Sequence, residues 1–555
     1  MSIPVPAAPH SRLRDALFCV SLACLCFVRR WFDLEILQVR ALDFYRSAPR
    51  DSGLLFATLL SCSILALLFW LLTQWVRRAD NPRLTAIARC VTLLVIIYAI
   101  ESMRRYWNSE FLLIDWSSNG ILIAFEFGLA LCAGMAVKGN SRVLDVVRSA
   151  VLLAAWLVPV MLFDFFWGHP QSQPSAFQMR DGLTPLTARP ATGKSPASRV
   201  VWLLFDEFDQ HLAFDERPAG LELSELDRLR SESLVANRVL QTAAATVIAI
   251  PSLLSGQAFG VTYPMDAQTL RVRPAGLETL WDWRDQPNVF QQARRLGANT
   301  SLIGWQLPYC RLIGDSLVHC FEQPGGHPAN ALLREIQASE EGLWSNVKFL
   351  FFMQIQNLMD LFRPIDEAGS PDIRDAFVQR RQLRQFLAIR NRAYREIADP
   401  QMDFVFVHFP TPHMFAIYDR HHADFALSPN GNYLDNLALV DRTVGEIRDS
   451  LEKAGLWEST TLMITSDHAL RPSMWHNRYN WNAAFERLIG PGASRTVPFI
   501  LKLARQHQGA VYEPSVSNLT ATQLSLAALS GEVATPQQAV AWLKGQGSRR
   551  LVSER

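Results

Sequence analysis

The stretch "TTLMITSDHALRP", residues 460–472, decides the reading of this chain. An apolar, β-branched run ends abruptly in Ser466-Asp467-His468. A run of this kind reads as a buried strand. A carboxylate and an imidazole delivered side by side at its exit either cap a turn or hold a metal.

Other runs extend the pattern on both sides. "VVWLLF" (200–205), "TSLIGW" (300–305), "FVFVHF" (404–409), "TLMIT" (461–465) and "VPFILKL" (497–503) read as strands. Helical segments at Val289–Leu296 and Tyr433–Ala454 lie between them. Strands alternating with helices predict an α/β domain with a mostly parallel central sheet. Ligands in such sheets sit at the carboxyl ends of the strands. There "VVWLLF" runs into Asp206-Glu207, "FVFV" into His408 with His413 five residues on, and "TLMIT" into Asp467-His468. One Asp after a strand is most simply a turn or cap residue. Three strands each releasing carboxylate or imidazole point to one divalent metal, zinc or manganese. A nucleophile is also needed, and "QTAAATVIAIPSLLSG" (241–256) offers Thr246. A hydroxyl is too weak an acid to attack an ester unaided, and a metal at Asp206, Asp467 and His468 would activate it. The plainer reading makes Thr246 one more small residue at an Ala-rich helix start.

The first third of the chain is different. Of 555 residues, 49% are hydrophobic and only 19% charged, high for a soluble enzyme of this size. Five apolar stretches account for it: Ala16–Val28, Leu54–Val76, Ala86–Ile100, Gly120–Val137 and Ala150–Trp167. A bilayer span takes about 20 mostly apolar residues, and five spans are expected. Ala16–Val28 is followed by Arg29-Arg30 without a small-residue cleavage site, which argues against a signal peptide. The basic segments 77–83 and 138–148 belong inside the cell by the positive-inside rule, placing everything after Trp167 outside. The organisation expected is a transmembrane domain over 1–168, a Pro- and Ser-rich linker over 169–198 and a catalytic domain over 199–545. The formal net charge of +2 gives no reason to expect nucleic acid as a partner.

Six of the eight cysteines lie in or beside the apolar spans, leaving Cys310 and Cys320 in the exported part. An oxidising compartment favours a disulfide between them, the alternative being two free buried thiols. The segment "SNVKFLFFMQIQNLMDLF" (345–362) is unusually apolar and reads either as a core helix or as a helix lying against the membrane.

The order of "VVWLLFDEFD", "TAAATVIAIPSLLSG", "HFPTPHMF", "NYLDNLALVDRTVGEI", "TTLMITSDHALR" and "TVPFILKL" resembles the sulfatase-like branch of the alkaline phosphatase superfamily. With apolar spans in front, the chain looks most like the lipoteichoic acid synthases and the lipid A phosphoethanolamine transferases. That resemblance implies metal ligands at Asp206, Thr246, Asp467 and His468, with Glu207 a further candidate, and Thr246 as nucleophile. It implies substrate contacts at Arg311, His408, His413 and His476. The sulfatase motif Cys-x-Pro-x-Arg is absent, since Val247 follows Thr246 and the next proline is Pro251. Phosphoethanolamine transferases also carry more disulfides than this domain can form.

The expected function is therefore a multi-pass enzyme of the bacterial inner membrane with its catalytic domain on the periplasmic or extracellular side. It would move a phospholipid head group, phosphoethanolamine or phosphoglycerol, to an envelope glycan or lipid through Thr246. A phosphodiesterase or atypical sulfatase on the same scaffold, and a non-catalytic envelope protein keeping the fold, are the alternatives.

Overall fold

The computed structural model describes residues 9–31, 40–46, 53–111, 141–163, 196–325, 342–360, 373–427, 431–475, 483–489 and 494–553, with isolated positions between. Its centre is an eight-stranded sheet. In chain order the strands are β1 (Arg199–Phe205), β2 (Leu234–Ala236), β3 (Thr300–Gln306), β4 (His319–Pro324), β5 (Phe404–Phe409), β6 (Thr460–Thr465), β7 (Phe499–Lys502) and β8 (Ala510–Tyr512). In space they run β8-β2-β7-β6-β1-β5-β3-β4. All are parallel except β7, which is antiparallel to both neighbours.

The three middle strands β6, β1 and β5 are buried along their whole length. Their near-continuous apolar runs are what a sheet covered on both faces requires. Alternation along β1 and β5 sends Trp202, Leu204, Phe404 and Phe406 into one core and Val201, Leu203, Val405 and Val407 into the other. Among the helices, α4 (Thr246–Ser255) and α8 (Thr520–Ser530) feed the first core, and α6 (Ile373–Ala398) and α7 (Tyr433–Lys453) the second. Asn432 starts α7 with a reciprocal capping box to Asp435. All five expected strands lie in the sheet except that the 497–503 run is divided. Thr496–Val497 pairs instead with Val239–Leu240, because Pro498 has no N–H to continue the ladder into β7.

In the N-terminal third, α1 (Pro9–Cys26), α2 (Gly53–Ala79) and α3 (Pro82–Phe111) are long helices. Among the described residues two are long and apolar enough to cross a membrane: α2, with mean hydropathy 2.4, and Pro82–Ser102 of α3, with mean hydropathy 1.9. They contain the expected spans Leu54–Val76 and Ala86–Ile100. Helix α1 carries Arg12, Arg14 and Asp15 in its first half, and buried Asp15 is ion-paired with Arg77 and Arg148. The stretch expected at Ala150–Trp167 is interrupted: an α-helix over Ser141–Leu153 passes through a 3₁₀ turn, Ala154–Trp156, into Leu157–Phe163. Pro159 explains the break, since it cannot donate to the carbonyl four residues back. The Gly120–Val137 stretch and the 169–195 part of the linker fall outside the described residues.

Two contacts join the parts. The 3₁₀ helix Arg40–Tyr45 buries Phe44 in the same apolar cluster as Val200 and Trp202 of β1. The apolar segment at 345–362 forms α5 (Leu343–Asp360), and it is not a core helix of the sheet domain. Its Val347, Phe349, Leu350 and Met353 pack with Phe27, Trp31, Leu54 and Leu55. Phe44→Ala should therefore unfold the sheet domain at lower temperature although it sits between α1 and α2. The expected cost is about 3–5 kcal/mol. Thermal unfolding of the detergent-solubilised full chain checks it, and an unchanged midpoint would detach the segment from the core.

Candidate active site

The parallel strands release their chemistry at one edge. Asp206 follows β1, Asp467 and His468 follow β6, and His408 stands at the end of β5. Since β1 lies between β6 and β5, the three exits are neighbours. Thr246 is the first residue of α4 and adds its hydroxyl from above, against the positive end of that helix.

The side chains converge. Thr246 Oγ1 is 3.3 Å from Asp206 Oδ2 and 3.2 Å from His468 Nε2. His468 Nε2 is 3.6 Å from Asp206 Oδ1 and 3.3 Å from Asp467 Oδ2. His408 Nε2 is 3.6 Å from Asp206 Oδ2. Asp206, Asp467, His468 and His408 are fully buried, and Thr246 is 1% exposed. One donor atom each from Asp206, Asp467 and His468 fits within 4.8 Å.

This arrangement fits a divalent metal. Asp206 Oδ1 and Asp467 Oδ2 are buried acceptors with no hydrogen-bond donor among the described residues. Burial, and then the neighbouring Asp467 charge, hold the Asp206 carboxyl well above the usual carboxylate range. A dication between the two carboxylates would reverse that penalty. His468 Nδ1 is bonded to the carbonyl of Ala469 at 2.9 Å, which leaves Nε2 as the lone-pair donor. Burial also pushes the His468 imidazole down to about 3, so it is neutral, as a ligand must be.

A second layer fixes the ligands. Asp467 Oδ1 accepts from the backbone of His468 at 2.9 Å and of Glu207 at 3.4 Å, turning Oδ2 inward. Ser466 Oγ lies 2.7 Å from the carbonyls of Phe205 and His468 and accepts from Phe208 N, tying the exits of β1 and β6 together. Asn518 donates to the carbonyls of Ser466 and Asp467. Tyr309 shares a 2.7 Å hydrogen bond with His408 Nδ1. That ring lies on Gly304, where any Cβ would be 2.2 Å from it.

The guanidinium of the site is Arg471, which the sequence reading did not single out. Its Nε donates to Glu207 Oε1 at 2.6 Å and its Nη2 to His413 Nε2 at 3.1 Å. Burial opposes its charge, but Glu207, Asp206 and Asp467 outweigh that and hold its pKa above the usual value. His413 is fully buried, stacked edge-on against Trp305, and pushed well below the usual imidazole range by burial and then by Arg471.

Two expectations are corrected. Glu207 does not join the metal cluster: with φ at 63° its backbone turns the side chain away, and its carboxylate accepts from Arg471 and from Trp475 Nε1. Arg311 is not an open anion receptor. It is 1% exposed, pairs with Glu322, and donates to the carbonyls of Phe44 and Arg46. Cys310 and Cys320 are joined in a disulfide that closes the turn bearing Arg311. His476 lies outside the described residues. Arg471 was legible in principle, three residues after His468; Asn518 and Tyr309 had no local signal.

A buried Asp-Asp-His cluster at the carboxyl edge of a mostly parallel sheet, with a hydroxyl poised over it, defines a metal-dependent enzyme with an alkaline-phosphatase-like domain. The Sulfatase family profile matches residues 198–530, more than half the chain, and the chain belongs to that family. No curated protein sequence matches it significantly. Among solved structures, a protein in the alkaline phosphatase superfamily from Vibrio parahaemolyticus is similar at 13% identity, covering 65% of this chain and 75% of that one, with a TM-score of 0.36. Lipoteichoic acid synthase LtaP from Listeria monocytogenes is similar at 12% identity over 60% and 72%, TM-score 0.35. Phosphonate monoester hydrolase of Agrobacterium radiobacter is similar at 13% over 60% and 77%, TM-score 0.33.

Asp467→Asn should lower bound metal in the purified chain by at least about tenfold while leaving the fold intact. Elemental analysis after dialysis reads this, and full metal occupancy would remove Asp467 from the ligand set. Gly304→Ala should displace Tyr309 and reduce activity about 10–100-fold through loss of His408 orientation. Tyr309→Phe should reproduce most of that loss without the steric clash; normal activity in both variants would make the contact incidental.

Proposed function

We propose that this chain is a membrane-anchored transferase that takes a phosphate-linked head group from a phospholipid, phosphoethanolamine or phosphoglycerol, and passes it to an envelope glycan or lipid. The observation that carries the reading is the Thr246 hydroxyl, held within 3.3 Å of Asp206 and His468 at the start of a helix. In this reading Asp206, Asp467, His468 and Thr246 hold the metal. When bound, the metal supplies Lewis-acid chemistry, lowering the pKa of the Thr246 hydroxyl and screening charge on the ester.

The chain's own residues do the rest. Thr246 Oγ1 attacks the phosphorus and gives up its proton, the bond from phosphorus to the lipid oxygen breaks, and that oxygen takes up a proton to leave as diacylglycerol, with a phosphothreonine ester left behind. An acceptor hydroxyl then displaces Thr246. Arg471 and His413 border the space beside Thr246 and receive the non-bridging oxygens as charge builds there. Glu207 and Trp475 keep the Arg471 guanidinium aimed. The organisation proposed is a membrane portion over 1–168 with five spans, a linker over 169–198 and a catalytic domain over 199–545, facing the outside of a bacterial inner membrane. A bilayer anchor raises the local concentration of a lipid donor. Hydrolysis of the same ester, as a phosphodiesterase or atypical sulfatase, would need only water as acceptor. A scaffold without catalysis is disfavoured: two buried carboxylates facing each other are a standing cost, met by a proton or a bound cation, that a purely structural role gives no reason to keep.

Thr246→Ala should fold, stay in the membrane and bind metal, yet release diacylglycerol from labelled phospholipid more slowly by about 10³-fold or more, with no covalent adduct by intact mass. Thr246→Ser should keep part of the activity. Undiminished turnover by Thr246→Ala would end the mechanism.

A further inference from the structure

Helix α5 leaves the sheet domain from an informative place. It follows β4, whose carboxyl end lies on the same edge as the Thr246 site. One face of α5 is buried against the N-terminal half of α2, through Val347, Phe349, Leu350 and Met353. Tyr98 of α3 donates to Gln354 at 2.7 Å. The opposite face is apolar and uncovered: Trp344 is 65% exposed, Phe352 47%, Ile355 51% and Leu358 47%. These residues recur at helical spacing, so they form one stripe about 20 Å long. Lys348 is exposed on the same face between Trp344 and Phe352, and it and Asp360 are the only charged residues in the 18; a lysine in such a stripe can reach to the headgroups. Such a stripe on a water-facing helix would be an aggregation hazard.

A second apolar surface is exposed on the helix against which α5 packs. Helix α2 exposes Leu67, Leu68, Leu71 and Trp75 beyond the part that α5 covers. If α2 crosses the bilayer, a helix packed along its residues 54–62 lies at lipid depth or at the lipid boundary. The second tether agrees. The segment Arg40–Tyr45, immediately before α2, is grasped by Arg311 just after β3. The Arg311 link therefore starts just past the carboxyl end of β3, at the edge that carries the active site.

We infer that α5 is bedded in the lipid of the bilayer face next to the catalytic domain, and that with the Arg311 tether it turns the Thr246 site toward the membrane. The site then draws its substrate from that leaflet. This rests on the reading of α2 as a span and deepens the proposed use of a lipid donor.

The test uses the full chain in nanodiscs. An environment-sensitive fluorescent amino acid is placed singly at Ile355 and Leu358, with Leu71 as the lipid control and Val511, 59% exposed on β8, as the water control. Doxyl-labelled phospholipid should quench 355 and 358 as it quenches 71; behaviour like 511 overturns the placement. A double variant, Ile355→Asp with Leu358→Asp, should lose turnover of phospholipid in vesicles by about tenfold or more. Its turnover of a soluble aryl phosphodiester should stay unchanged. Undiminished lipid turnover, or equal loss on both substrates with normal thermal unfolding, overturns the orientation. A wild-type chain that shows quenching but turns over no phospholipid would sink the lipid-donor reading while leaving α5 in the membrane.

Discussion

Two carboxylates that face each other in a dry edge of the sheet constrain most of what surrounds them. Asp206 and Asp467 leave adjacent strands whose parallel register sets Leu204 beside Thr465. Neither side chain touches solvent. Like charges this close and this buried are unfavourable unless a cation joins them or one of them takes a proton. The neighbourhood is consequently built to hold the acceptors still. Ser466 pins both strand exits, backbone amides take one oxygen of Asp467, and the Ala469 carbonyl fixes the tautomer of His468. The rigidity of three fully buried strands transmits to the ligands.

The charge balance explains the unusual backbone at Glu207. A non-glycine residue at positive φ is costly, yet here it lets consecutive acids serve opposite ends of the site. Asp206 points at the cluster, and Glu207 points at Arg471. Without Glu207 the guanidinium would be drawn toward Asp206 and Asp467, where it would compete with a metal. Clamped by Glu207 and braced on His413, it reaches the carbonyl of Ala244, two residues before Thr246. The tandem of acids after β1 thus faces two ways, Asp206 toward His468 and Thr246 and Glu207 toward Arg471.

Much of this was legible in the sequence because the site grows out of strand ends. Apolar runs locate strands, parallel strands share an edge, and the residues just past them must meet. Asp206, His408, Asp467 and His468 follow from that rule alone. Thr246 needed the helix start. What local pattern could not give is which way a side chain turns after leaving the strand. Glu207 differs from Asp206 by one residue and one torsion angle. The family resemblance assigned Arg311 to a substrate anion, but its partners are Glu322 and main-chain carbonyls over 260 residues earlier. Arg471 stands in the decisive stretch, but an arginine beyond a turn is ordinarily solvated, and only its contacts with Glu207 and His413 reveal its place.

Arg311 also shows why the domain boundary expected at the linker describes only part of the connection. Residues 40–46 belong by sequence to the membrane portion and by packing to the catalytic core, where Phe44 is fully buried. Helix α5 belongs by sequence to the catalytic domain and by packing to α2. Each part therefore carries a piece of the other, and the 40–46 piece is held by Arg311 just past the carboxyl end of β3. An interface with buried Phe44 and Phe349 resists the free rotation that a Pro- and Ser-rich linker alone would allow. Fixing the tilt of the site relative to α2 costs conformational freedom once, at folding, and not at each encounter with a substrate.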